Sequence, residues 1–309
     1  MLPLTASVVL CTYQGERFLA EQLASFHAQT RAPSEIVAQD DASTDSTAAL
    51  LLADPKLSVH QNPSRLGYAA NFSRAIARAS GDVIFLADQD DIWENEKLEV
   101  ILRTFEQNPE LQVVCSEASR IDRESRPLPG FVLGPNGLCA EERRRWAAGN
   151  ALPFLLRRNA VPGMTMAFRA GFRDQILPVP PLWEHDYWIL AVAAAKNLGI
   201  FVEETPLVRY RQHAAQELGG SRSFLARLSQ SSTLEQRARE AARWSHLLPL
   251  ALPSNRPLIE GKRAHLQRRA AFPRHPFPRA LAIAAELWRG DYTLFDAGLS
   301  SAVKDLLSS

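Results

Sequence analysis

The run Asp88-Gln89-Asp90-Asp91 sets two carboxylates one residue apart, a spacing at which both can reach a single divalent cation. Mg2+ and Mn2+ prefer oxygen ligands and leave coordination positions open to water or phosphate oxygens. Bare aspartates would repel a diphosphate; a bound cation reverses that sign and stabilises the charge that grows on a departing phosphate. The plain alternative is a solvated acidic turn ahead of a helix expected over residues 94–108. Within the run, Asp88 and Asp90 form the pair, Asp90 is the stronger candidate for direct ligation, and Asp91 is read as a cap of that helix. A second polar run, Gln39-Asp40-Asp41-Ala42-Ser43-Thr44-Asp45-Ser46-Thr47, offers Asp41 to accept the imide N–H of a uracil or thymine ring. Ser43, Thr44 and Asp45 would shape its turn and cap the next helix.

These residues need elements that bring them together. Short apolar or β-branched runs at 6–11, 35–39, 57–60, 83–87 and 111–116 read as strands. Helical patterns at 17–28, 46–52, 71–79 and 94–108 separate them. This βαβα alternation predicts an α/β fold with a mostly parallel sheet and helices on both faces. Ligands of such sheets sit at the carboxyl ends of the strands, and there the chain places Thr12, Asp40, Asp41, Asp88, Asp90 and Asp91. Residues 117–160 are less regular, with a loop-like stretch at 127–137. Order returns with a strand at 164–168, a helix at 183–196 and closing strands at 200–202 and 207–210. Helices are expected at 223–247 and 279–287, and the change of character at Gly219-Gly220 puts a boundary near residue 218.

The 309 residues carry a net charge of +1, which gives no support for nucleic-acid binding. Acidic residues gather in the first hundred positions and arginines from Arg143 onward. Cys11, Cys115 and Cys139 lie far apart without a CxxC pair, which argues against a disulfide framework or a zinc knuckle. No secretory leader pattern and no apolar run of the roughly 18–20 residues needed to span a bilayer is present. A cytoplasmic protein is expected, with membrane contact at most peripheral at the inner face. No GxGxxG follows the first strand, so a dinucleotide-binding dehydrogenase is disfavoured. A sugar-nucleotide pyrophosphorylase would need a Gly-rich, lysine-bearing loop that Thr12 to Arg17 lacks.

Val8-Val9-Leu10-Cys11-Thr12-Tyr13, the Asp40-to-Thr47 run, Arg65-Leu66-Gly67 and Asp88-Gln89-Asp90-Asp91-Ile92-Trp93, in this order, resemble family 2 glycosyltransferases of the GT-A fold over residues 4–215. The Asp-Gln-Asp-Asp-Ile-Trp string is similar to the bacterial rhamnosyltransferase-like branch, which builds cell-surface polysaccharides. The resemblance implies a GT-A, Rossmann-like domain at 1–218, divided into a nucleotide-binding half at 1–116 and an acceptor-binding half at 117–218. A C-terminal helical extension follows at 219–309. It further implies that Thr12, Tyr13 and Glu16 flank the nucleotide and that Arg65 and Gly67 lie along the nucleoside–phosphate path. Asp88, Gln89 and Asp90 would surround the diphosphate and a divalent cation, Mg2+ or Mn2+.

In Trp183-Glu184-His185-Asp186-Tyr187-Trp188, Asp186 matches the family's late acidic residue at a helix start, which takes the proton of the acceptor hydroxyl. Glu184 and His185 compete for that role, and Asp186 could instead only complement the helix dipole. The family pattern implies one direct displacement with inversion. In the same branch a late Tyr-Arg-x-His, here Tyr210-Arg211-Gln212-His213, closes over the donor. Arg211 suits phosphate, and His213 a further metal or diphosphate contact. The asparagine that follows in the family is replaced by Ala214-Ala215-Gln216. Pro162-Gly163-Met164-Thr165 resembles the acceptor-side floor, with Gly163 and Met164 near the sugar. Trp183 and Trp188 could stack on sugar faces or pack in the core.

The expected function is therefore inverting, metal-dependent transfer from a nucleotide sugar, with dTDP-rhamnose ahead of a UDP-hexose. The acceptor would be a cell-surface polysaccharide or lipid-linked glycan. A non-catalytic nucleotide-sugar-binding scaffold is the rival of a different class. In the C-terminal third, Arg263, Arg268, Arg269, Arg274 and Arg279 lie near Phe272, Phe277 and Trp288, compatible with an anionic membrane surface or with packing and homodimerisation.

Overall fold

The computed structural model of the protein describes residues 3–133, 138–159, 161–213 and 234–307. Its centre is β1 (Ala6–Thr12), buried along its whole length. β1 lies between β2 (Glu35–Asp40) and β4 (Val83–Asp88), parallel to both, and β3 (Leu57–Gln61) continues the parallel pairing outside β2. The crossovers carry α1 (Leu19–His27), α2 (Thr47–Leu52) and α3 (Tyr68–Arg78). Alternate side chains of these strands enter opposite cores, as the two-residue period of a strand requires. Val8, Leu10, Ala38, Phe85 and Ala87 pack with α1 and with α4 (Lys97–Gln107). Val9, Val37, Ile84 and Leu86 pack on the other face with Phe72 and Ile76 of α3.

Nine strands form one sheet in the order β3-β2-β1-β4-β8-β6-β9-β5, with β7 added to β6. The remaining strands are β5 (Ile92–Trp93), β6 (Leu111–Ile121), β7 (Pro127–Phe131), β8 (Met166–Arg169) and β9 (Gly199–Arg211). The longer pairs are parallel, as expected. The short β8 runs antiparallel between β4 and β6, and β5 runs antiparallel to β9.

The second half departs most from its expected outline. The two closing strands are one, β9, whose register with β6 shifts opposite Ser116–Ala118. β6 runs on to Ile121, and β7 occupies part of the stretch read as loop. α4 begins at Lys97 rather than at residue 94 because Ile92 and Trp93 pair with β9 first. Asp91 consequently does not cap that helix. Around this half lie α5 (Ala140–Ala147), α6 (Leu152–Leu155), α7 (Arg173–Ile176) and α8 (His185–Ala195).

The expected boundary near residue 218 and the Ala214-Ala215-Gln216 departure lie outside the described residues. Beyond them come α9 (Leu234–Arg243), α10 (Arg256–Ala270), α11 (Pro276–Trp288), α12 (Asp291–Phe295) and α13 (Leu299–Leu307). Trp244, Leu247, Ile259, Leu266 and Phe295 join the same apolar core as α3, α8 and one face of the sheet. The outer helices are tied by buried charge: Arg237 and Arg269 both donate to Asp305, and Tyr292 Oη donates to it at 2.6 Å. Arg268, Arg289 and His265 surround Glu286. Among the described residues no helix is long and apolar enough to cross a membrane.

Candidate active site

The carboxyl ends of β1, β2 and β4 meet at one edge, and hydrogen bonds between their side chains and loops fix it. Thr12 Oγ1 donates to Asp40 Oδ1 at 2.8 Å, while Asp40 also accepts from the backbone and hydroxyl of Ser43. Asp40 thus shapes the turn and leaves Asp41 to face the next loop. Asp41 accepts from the backbone N–H groups of Leu66 and Gly67 and from Asn62 Nδ2, each at 2.8 Å. Gly67 holds φ at 86°, a left-handed value that a side chain would oppose. Three donors leave about one of a carboxylate's four acceptor positions. Arg65 lies over the Tyr13 ring at 4.1 Å from its centre, so Tyr13, Arg65, Gly67 and Asp41 do come together.

Gln89 and Glu16 serve the scaffold. The Gln89 amide accepts from the Tyr13 N–H at 2.7 Å and donates to the Tyr13 carbonyl at 2.8 Å, clasping the ends of β1 and β4. Its fit is tight, since a Cβ at Gly15 would come 2.3 Å from Gln89 Oε1. One acceptor position and one N–H of the amide remain beyond this clasp. Glu16 accepts from the Ser46 N–H at 2.9 Å and stays at the rim.

Asp88 is pushed up to about 7, first by burial and then by the neighbouring carboxylates of Asp90 and Asp186. The residues read separately as metal pair and base therefore feel one another's charge. Asp90 Oδ2 lies 2.7 Å from His213 Nε2, a contact made possible by the β5–β9 pairing. Asp91 is fully buried; its Oδ1 accepts from the Arg211 N–H at 3.0 Å, and its Oδ2 has no hydrogen-bond partner among the described residues. Burial, then Asp90 and Asp88, hold it well above the usual carboxylate range.

Arg211 is placed otherwise than expected. Its side chain is fully buried, with Nε on the Asp90 carbonyl at 2.7 Å, Nη1 on Ser125 Oγ at 2.8 Å and Nη2 on Glu21 Oε2 at 3.0 Å. The guanidinium anchors the acidic loop to α1 and the turn after β6 rather than reaching a phosphate. Lys97 was not singled out from the sequence. It is fully buried over the Trp93 ring, its Nζ donates to the Met164 carbonyl at 2.6 Å, and burial pulls it down to about 7 against the pull of Asp91 and Asp88. A lysine in the first turn of a helix, where the dipole disfavours cations, was the available signal.

Asp186 opens α8. Its Oδ1 accepts from the Tyr187 N–H at 2.6 Å, with further bonds from Asn159 and the Gly163 backbone; burial outweighs them and raises it to about 6. It borders a cavity of about 490 Å³ lined also by Asn159, Pro162, Tyr210, Glu240 and Arg243. Glu184 shares this cavity and pairs with Arg243 at 3.3 Å.

The other acceptor-side expectations separate. Gly163 lies beside Asp186 and has no room for a side chain, since a Cβ would stand 2.7 Å from His185 Nε2. His185 itself is buried, stacked on Phe72 at 3.7 Å and pulled down to about 3 by burial, which leaves a neutral packing residue. Met164 is buried and contributes its carbonyl. Trp183 is 2% exposed, donates to the Arg243 carbonyl at 2.9 Å and packs on Trp188 and Trp244. Neither Trp183 nor Trp188 is a sugar platform.

Among the described residues, the group of three acidic or histidine side chains whose ligand atoms already lie within 4.8 Å of one another is His265, Glu286 and Asp291 in the C-terminal helices; the residues around Asp88 are not gathered so closely. Asp88, Asp90 and His213 offer carboxylate oxygens and an imidazole nitrogen, donor types that suit a divalent cation. Burial and mutual repulsion raise the carboxyls of Asp88 and Asp91, with Lys97 opposing the shift, and a bound cation would favour their ionised forms.

Residues 7–174 match a family model described as Glycosyl transferase family 2. The dTDP-rhamnosyl transferase RfbG of Shigella flexneri is 24% identical over 227 residues, covering 71% of this chain and 76% of that protein. The chain spans from 59% to 76% of the length of the first curated relatives it matches. Residues 1–349 of S. aureus TarS with UDP-GlcNAc superpose with a TM-score of 0.64 at 15% identity, over 98% of this chain and 88% of that one. The mannosyltransferase PcManGT from Pyrobaculum calidifontis, with GDP-Man and Mn2+, gives 0.55 at 18% identity over 99% and 88%. The likeness to these structures is one of fold, the GT-A fold.

Proposed function

Because the chain belongs to glycosyl transferase family 2, we propose that it moves one sugar from a nucleotide-sugar donor to a glycan hydroxyl with inversion. The observation that carries this reading is the convergence of Asp88 and Asp90 with Asp186, close enough that Asp186 helps to raise Asp88. Asp41, with an acceptor position left over, would take the base imide, and Tyr13 with Arg65 would flank the nucleoside. Asp88, Asp90 and His213 would hold the divalent cation, which supplies charge neutralisation for the diphosphate. Asp186 removes the acceptor hydroxyl's proton as that oxygen attacks the anomeric carbon. The sugar–phosphate bond breaks on the opposite side, and its electron pair leaves with the diphosphate. A carboxyl near 6 is matched to this task at neutral pH, being mostly ionised yet a stronger base than an exposed aspartate.

dTDP-rhamnose is the favoured donor and a UDP-hexose the next. RfbG is a dTDP-rhamnosyl transferase and TarS carries UDP-GlcNAc. For the cation, PcManGT with GDP-Man and Mn2+ supports the same assignment. The cavity beside Asp186, lined by tyrosines and aliphatic side chains as well as Glu184, Glu240 and Arg243, would seat the glycan acceptor, free or lipid-linked, of the kind found in cell-surface polysaccharide.

Thermal-shift screening of nucleotide sugars with Mn2+ or Mg2+, followed by transfer assays on the hit, tests the reading. Binding at a hundredfold excess over Kd adds about 2.7 kcal/mol of stability. Asp186→Asn should keep the shift and lose transfer, whereas Asp90→Asn should weaken the metal-dependent shift itself. Normal transfer by Asp186→Asn would remove it as base.

A further inference from the structure

The outermost helices expose an apolar surface that no other described element covers. On α11, Phe277, Leu281, Ala284 and Trp288 recur at four- and three-residue intervals along one stripe, and all are exposed. The opposite side of the same helix carries Arg279, Ile283 and Glu286, all buried against the module. α13, which packs on α11, repeats the design: Leu299, Val303 and Leu306 face outward while Ser301, Ala302 and Asp305 face inward. Trp288 is 91% exposed, whereas the five other tryptophans are no more than 3% exposed.

Charge decides what this surface fits. The four acidic residues of 276–307 are Glu286, Asp291, Asp296 and Asp305, and each is buried or half-buried against a cation of the module. Glu286 and Asp291 take Arg268, and Asp296 and Asp305 take Arg269. The outward side therefore presents apolar side chains without a carboxylate, bordered by the exposed Arg274 and Arg289. An apolar stripe with an aromatic residue and edge arginines matches a lipid interface of anionic headgroups.

We infer that the α11–α13 face is a docking surface for an anionic lipid bilayer, into which Phe277, Leu281, Trp288, Leu299 and Val303 insert. The electrostatic part differs from the sequence expectation. Arg268, Arg269 and Arg279 are turned inward, on Glu286, Asp305 and the backbone carbonyls of residues 273 and 274. Arg274 remains at the edge, together with Arg289, which is half-exposed while also paired with Glu286. The inference is independent of the sugar chemistry proposed above.

The test uses the full chain with vesicles of phosphatidylglycerol and phosphatidylethanolamine, and with vesicles of phosphatidylcholine alone. Co-flotation is expected with the first and at least tenfold less with the second. Phosphatidylglycerol brominated in its acyl chains should quench the long-wavelength tryptophan emission, which on exposure belongs to Trp288. The exposed double variant Leu281→Ser/Trp288→Ser, checked for native circular dichroism, should lose at least nine-tenths of the flotation. Absence of flotation with anionic vesicles at millimolar lipid, or flotation unchanged in the variant, overturns the inference. So does a concentration-dependent dimer that the same variant converts to monomer, because the face would then belong to a second copy.

Discussion

As the proposed base, Asp186 would act only when ionised, and burial holds its carboxyl up to about 6. Transfer under kcat/KM conditions should therefore fall about tenfold per pH unit below 6 and level off above it, an acid limb that a pH–rate profile reads directly. Its stability sign is opposite. The folded value lies above the ordinary 3.8, so the folded chain holds this proton more tightly than the unfolded one. The contribution is full below 3.8 and is lost as pH rises through 6. Asp186→Asn should thus be at least as stable as the parent at pH 7 in urea unfolding, while losing transfer. Gly163→Ala tests the neighbouring packing: its Cβ would meet His185 Nε2 at 2.7 Å, with His185 held by the Phe72 stack. A loss of about 1–3 kcal/mol is expected by urea unfolding. Asp88 and Asp90 stood out in the sequence because carboxylates after an apolar run are conspicuous, and Asp186 through the family resemblance. His185 as a rival base and Trp183 as a sugar platform or core residue stayed open there, since a polar ring at a helix start gives no sign that Phe72 or Trp244 will cover it.

Secondary structure in the first half was legible because strand and helix periods are local, and strand ends place Asp41 and Asp88 without further information. The clasps that make the site rigid were not legible. Gln89 reaches Tyr13 from 76 residues away, and the Arg211 backbone reaches Asp91 from 120 residues away. The two-residue β5 is defined only by its pairing with β9, so the start of α4 was misplaced and Asp91 with it. These contacts give Arg211 a specific consequence. Arg211→Met keeps the bulk and the backbone N–H on Asp91 but removes the bonds to Asp90, Ser125 and Glu21. A loss of about 1–3 kcal/mol is expected from the charge-assisted hydrogen bonds removed, since the carboxylate left behind, Glu21, is half-exposed. The affinity for Mn2+, measured by titration calorimetry, should fall as well, because the loop bearing Asp90 loses its anchor. A variant as stable as the parent would show that the buried guanidinium is not structural.

Across the whole molecule, α9 and α10 complete the core that the sheet and α8 begin, while α11 to α13 are held by charge. Asp305 sits fully buried under Arg237, Arg269 and Tyr292. Asp305→Ala leaves two arginines facing each other, and should cost about 3–5 kcal/mol, read as earlier proteolysis within 276–307. A C-terminal extension was expected from composition, but its sharing of the core was not, because an arginine-rich sequence looks solvated until its acids are located. The cavity beside Asp186 makes that sharing matter. One wall comes from Asn159 and Pro162, the other from Glu240 and Arg243 of α9, on the far side of residues 214–233. On the reading proposed above, a lineage that exchanged its C-terminal helices by recombination would inherit a new choice of acceptor along with them, while the nucleotide end, built from residues up to 93 and from Arg211 and His213 at the end of the closing strand, stayed with its ancestor.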